Sequence, residues 1–212
     1  MSEKKRGASA PRRKTDLSGL TTLFGGNLVK VVIGVAALFA FVLIISLMFR
    51  GCGVKQGSPE KVVSSMIQAA GKGKTKNMLK CYGAADNASQ GLQKEVDALA
   101  EYCKAHEPKD VKIVACKTLA DSKGCSYVFV TYNLVLDNEQ EYPCIGTYLV
   151  KNKDDKYCIL QASDITAELS QFAADEYAKF MKTEDYHTYV KAYDAFIKKN
   201  PGYEARIEDK LR

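Results

Sequence analysis

Val31 to Phe49 is a run of 19 residues without a charged side chain and with Ser46 as its one polar residue. At 1.5 Å rise per residue such a helix spans about 28 Å, close to the roughly 30 Å hydrocarbon thickness of a bilayer. A helix buried in a soluble core of this size keeps a polar stripe, and this run has none. Lys30 and Arg50 bracket it. The run therefore reads as a single transmembrane helix over residues 30–50, and every other expectation about the chain inherits from it.

Charge sets the orientation. Residues 1–29 form a basic tail, expected to be disordered. Up to and including Lys30 the chain has seven basic residues against Glu3 and Asp16, whereas the rest of the chain holds 24 basic against 23 acidic. Basic residues crowded beside a span stay in the cytoplasm, so the N-terminus is expected inside and residues 51–212 outside. The formal charge of +6 is then a topology signal and argues against a nucleic-acid partner, since the outer part lacks a clustered basic excess. The apolar run is too long for a signal peptide, and "SLMFRGCGV" has no small-residue cleavage site. Phe49 and Arg50 precede Cys52 where a lipidation box needs small or aliphatic residues. An uncleaved signal anchor is the expected state.

"GCGVKQGSP" has linker composition, and residues 51–57 are assigned to a linker. Ser58 and Pro59 then open a helix with Val62, Val63, Met66, Ile67 and Ala70 on one side, closed by Gly71 and Gly73. Thr75 is the expected cap of a second helix, and a third is expected from Asn87 to Ala105, stopped by Pro108. The period then falls from near 3.6 to 2. "VKIVACKTL", "CSYVFVTYNLVL", "EYPCIGTYLV" and "KYCILQA" read as four strands joined by the short polar turns "ADSKG", "DNEQ" and "KNKDD", an antiparallel meander. One face of this sheet must be covered, and the three preceding helices supply the cover. Asp164 and Thr183 are the expected caps of two further helices in a C-terminal extension, residues 164–212, beyond an outer α+β domain at 58–163. The second carries a stripe that includes Tyr186, Tyr189 and Tyr193, either a surface for a partner or packing within the domain.

"SPEKVVSSMIQAAGKGKTKNMLKCYG" resembles the opening of membrane-anchored extracytoplasmic domains of cystatin-like or nuclear-transport-factor-2-like type, widespread without assigned activity in Gram-positive bacteria. The resemblance implies an α+β fold with helices on an antiparallel sheet and a cavity between the two layers. It spans roughly residues 58–162, so the C-terminal helices exceed it.

Sites of chemistry are sparse. Gly73-Lys74-Thr75 ends like a phosphate loop, but the first glycine of that motif would fall on Gln68, and a helix rather than a strand precedes it. Cys81, Cys103, Cys116, Cys125, Cys144 and Cys158 lie in the outer domain, where disulfides are permitted. No C-x-x-C pair occurs, hairpin counting sets no two of them opposite each other, and buried free thiols are the alternative. His106 and His187 lack metal-like neighbours and are expected at the surface of helix ends. No catalytic residue, metal ligand or cofactor is assigned. The expected function is a non-enzymatic, single-pass cell-envelope protein whose outer domain binds a protein, peptide or small ligand. A scaffold subunit of a secretion or conjugation complex and an enzyme using the domain cavity are the alternatives. If the topology holds, a periplasmic-type phosphatase reporter fused after Arg212 is active in intact cells and a fluorescent protein that matures only in the cytosol stays dark there.

Overall fold

The computed structural model describes residues 53–212. The apolar run and its basic tail lie outside the described residues, among which no helix is long and apolar enough to cross a membrane. Residues 53–57 lie against the domain: Val54 packs on its core, and the Gln56 carbonyl accepts from Tyr157 N at 3.0 Å.

Helix α1, Pro59–Gly71, begins where the Ser58 hydroxyl accepts from Lys61 N and proline fills the first turn. Val62, Val63, Met66 and Ile67 are fully buried along it. A Cβ on Gly71 would stand 2.0 Å from Val111 Cγ2, so glycine there lets the end of α1 touch the sheet. Gly73, at φ +61, turns the chain through the left-handed region that glycine enters without penalty. Helix α2, Thr75–Cys81, departs from expectation at its start: Lys74 occupies the cap position without a side-chain hydrogen bond, and Thr75 is already helical. Helix α3, Gln90–Ala105, starts three residues later than Asn87, because the hydroxyl that accepts from Leu92 N belongs to Ser89. His106 caps its far end and Glu107, at φ 52, turns the chain ahead of Pro108.

Strands β1 (Asp110–Ser122), β2 (Cys125–Val135), β3 (Glu141–Lys153) and β4 (Lys156–Ile159) form one antiparallel sheet in the order β1-β2-β3-β4. The meander is as expected, but the strands run on through "ADS" and "KNK". That leaves two-residue turns, Lys123-Gly124 and Asp154-Asp155, all four residues at positive φ, the geometry whose twist matches paired strands.

Val128, Val130 and Leu134 of β2 share one face with Tyr142, Cys144 and Val150 of β3, and α1 to α3 cover it. Tyr127 and Leu149 face the other way and are also buried. Helix α4, Ala167–Phe180, covers this second face with Leu169, Phe172 and Tyr177, and the Phe180 ring lies 4.4 Å from that of Phe129. Its cap is Thr166; Asp164 sits instead in a short 3-10 turn and accepts from Gln161. The expectation that one face is covered is thus replaced by a sheet sandwiched on both.

Helix α5, Glu184–Lys199, is capped by Thr183 as expected. It begins where Asp185 meets Lys117 at 2.7 Å and ends with Phe196 5.1 Å from the Tyr142 ring. Gly202, at φ +75, then reverses the chain into α6, Tyr203–Leu211.

Gly71→Ala is expected to destabilise the protein by about 1–2 kcal/mol, the overpacking cost against Val111 exceeding the gain in helix propensity. Urea unfolding should show a lower midpoint at an unchanged slope.

Candidate functional site

The last turn of α3, the start of β3 and the helices α5 and α6 meet at one corner. His106 closes α3 with 6% of its surface exposed. Its ring lies 4.5 Å from that of Tyr142, 4.8 Å from Tyr102 and 5.6 Å from Tyr203. Phe196 completes the group at 5.1 Å from Tyr142 and 5.0 Å from Tyr203. His106 Nδ1 and the Tyr203 hydroxyl share a hydrogen bond of 2.9 Å, while the buried Nε2 has no partner. Burial, aided by the Lys210 ammonium and opposed by Glu204, pushes the imidazole down to about 4. The ring is therefore neutral at ordinary pH. This corrects the expectation of a surface histidine. Besides Tyr102 of its own helix, the rings around His106 arrive from β3 and from α6, the latter nearly a hundred residues later, and helix-end position alone carries no trace of them. His187 is exposed as expected.

Beside His106 opens a cleft of about 350 Å³, with Leu136, Tyr203 and Ile207 as its apolar lining and Arg206 and Lys210 at its edge. Lys210 is held by Glu107 at 3.1 Å and by the Ala105 carbonyl at 3.0 Å. Asp137 is offset by Lys109 at 3.8 Å. Arg206, 5.6 Å from the Tyr203 ring, has no carboxylate partner among the described residues. A second cleft, of about 510 Å³, runs between the Gly71–Thr75 turn and α3. Asp97 and Glu101 stand on its α3 side, where carboxylates repel a phosphate, and the turn follows a helix. The smaller cleft is the better candidate because it adjoins the buried polar chemistry.

The six cysteines are free thiols. Cys81, Cys103, Cys125 and Cys144 are buried, and Cys116 and Cys158 half-buried. No two stand opposite in the sheet: Cys116 faces Val130, Cys125 and Cys158 face Lys151, and Cys144 faces Tyr132. Burial pushes Cys81 and Cys144 up to about 12 and Cys103 and Cys116 to about 11, so none of these four forms a ready thiolate nucleophile. Tyr186, Tyr189 and Tyr193 are half-buried. Tyr186 packs on Phe180 at 5.6 Å, and the Tyr193 hydroxyl donates to Glu204. Tyr186 and Tyr193 thus take part in contacts within the domain. Among the described residues no three His, Cys, Asp or Glu side chains are grouped as a metal site.

Sequence reasoning did not single out Tyr142, Tyr203 or Arg206. The signal that bears on them is "NPGY", residues 200–203, where proline and glycine announce a tight reversal that returns the chain end to the domain.

No protein-family model matches this sequence, and no curated protein matches it. Solved structures similar to it include a nuclear-transport-factor-2-like protein of Campylobacter jejuni named as a candidate transpeptidase, at 15% identity and a TM-score of 0.35, covering 49% of this chain and 99% of the other. A nuclear-transport-factor-2-like protein of unknown function from Shewanella oneidensis is 18% identical with a TM-score of 0.33, covering 47% and 88%. A Xanthomonas campestris protein named as a candidate calcium/calmodulin-dependent protein kinase II association domain is 12% identical with a TM-score of 0.33, covering 46% and 77%.

The His106 shift has a signed consequence. Its value falls from 6.5 in the open chain to about 4 in the fold, so the unfolded state takes up the proton first as pH drops. Stability is complete above pH 6.5 and falls by roughly 2–3 kcal/mol in total between there and about pH 4. Chemical denaturation across that window should show the loss, and His106→Gln should flatten this part of the profile.

Proposed function

We propose that the chain is a single-pass, non-enzymatic cell-envelope protein whose outer domain, of nuclear-transport-factor-2-like type, binds a short peptide or small ligand in the cleft beside His106. The observation that carries this reading is Arg206. It is the cleft's one cation without a carboxylate, and it stands over an apolar lining of Leu136, Tyr203 and Ile207. Such a cleft complements a carboxylate joined to an apolar group. A guanidinium holds a carboxylate through paired hydrogen bonds, and a few convergent polar groups in an apolar concavity are the usual form of a small-ligand site.

Binding without turnover is supported by the state of the acid and base groups nearby. Burial first, and neighbouring charge second, displaces His106 to about 4, Tyr203 up to about 12 and Cys144 up to about 12. Tyr102 and Tyr142 are likewise raised, again by burial first. A general acid or base works best with a value near the operating pH, and these groups are moved away from it.

Titration of the full chain in detergent with N-acetylphenylalanine tests the reading. The methyl resonances of Leu136 and Ile207 should shift, and Arg206→Gln should weaken the apparent affinity about tenfold, the loss of one charge-assisted contact. Unmoved methyl resonances at about 10 mM probe, above the weakest affinities usually counted as specific, would overturn it.

A further inference from the structure

At the start of the described chain the Gln56 side chain adds to the packing of Val54 and the bond to the Gln56 carbonyl. Gln56 Nε2 donates to the carbonyls of Lys80 at 3.1 Å and Tyr157 at 3.2 Å, and lies 3.5 Å from Cys158 Sγ. These contacts bring the end of α2 and the β3–β4 hairpin together around the point where the chain enters the domain. The elements so assembled carry Lys76, Lys80, Lys151, Lys153 and Lys156, all exposed. None of the five pairs with a carboxylate among the described residues. Asp154 and Asp155 are the acidic residues at the hairpin tip, Glu141 lying at the far end of β3 in contact with Lys112, so five lysines stand against two aspartates here. Lys153 and Lys156 are direct cross-strand partners, an arrangement in which like charges destabilise the pair unless something neutralises them.

Chain length limits how far this patch can stand from lipid. From Arg50, the end of the apolar run, to Val54, which packs on the core, there are four peptide steps, at most about 14 Å at roughly 3.5 Å each. A tether of that length lets the patch come within one Debye length of the headgroups, about 8 Å at physiological salt, where its charge is felt. We propose that the lysine patch around Gln56 is a docking surface for anionic phospholipid headgroups, holding the outer domain against the leaflet from which the span emerges. The inference rests on the anchored reading of residues 30–50. The aromatic corner lies at the other end of β3, near Tyr142, so docking leaves that cleft open to the medium.

The test uses the full chain in nanodiscs of phosphatidylcholine alone or with about one-third phosphatidylglycerol. Acetylation of Lys80, Lys153 and Lys156 is followed by mass spectrometry against Lys198 and Lys199, beyond Phe196 at the opposite end of β3. In anionic discs at about 50 mM salt the three patch lysines should react at least about threefold more slowly than in neutral discs, and about 500 mM salt should abolish the difference. Lys80→Glu/Lys153→Glu should raise the rate at Lys156 to its neutral-disc value. Equal rates in both lipids would overturn the docking surface while leaving the anchor intact. Failure of the chain to remain in discs would overturn the anchor. The surface then stands or falls on salt-reversible co-sedimentation with phosphatidylglycerol vesicles.

Discussion

The rest of the domain depends on β2, a strand with no face for water. Val128, Val130 and Leu134 are fully buried on one side, and Tyr127 and Phe129 on the other. A strand of this kind is stable only between two layers, since each buried large apolar side chain contributes about 1.5–3 kcal/mol that is lost if its face meets solvent. Helices α1 to α3 supply one layer and α4 the other. The C-terminal helices are therefore part of the same folding unit, and the Phe129–Phe180 contact at 4.4 Å is where the second layer meets the strand.

Close approach on the first face sets the position of the aromatic corner. Gly71 allows α1 to touch Val111, and α3 then runs beside α1 so that its last turn ends over the start of β3. β4 pairs only with residues 150–153 of β3, which leaves the earlier part of β3 without a strand neighbour on that side. Exposed strand edges invite unwanted pairing and are usually covered. Here α5 lies against β3, and the reversal at Gly202 carries α6 back to α3. His106 is buried as a result of covering that edge, and the cleft beside Arg206 is the gap left where α6 crosses the β2–β3 turn.

The two ends of β3 carry opposite chemistry. At the hairpin tip the surface is cationic and polar, and it surrounds the entry of the chain. At the other end aromatic rings enclose a neutral imidazole, and Arg206 is the cation lining the cleft that has no carboxylate partner among the described residues. A strand of 13 residues at about 3.3 Å each separates these ends by roughly 40 Å. The proposed ligand cleft and the proposed lipid surface thus lie at opposite ends of one strand.

The sequence by itself determined the elements. Ser58, Pro59 and the apolar spacing after them dictate α1, the shift of period after Pro108 dictates four strands, and short polar turns dictate an antiparallel meander. Each of these is a local preference, written within a few residues. From the sequence one face of the sheet is expected to be covered, although "YVFV" within β2 lacks the alternation of a strand with one wet face. Only the tertiary structure decided which helix covers the second face, that His106 is buried, and that Arg206 stands near it without a carboxylate partner among the described residues. Those facts depend on contacts between residues roughly fifty to a hundred positions apart, and burial and charge pairing are properties of neighbours in space that no local spacing encodes.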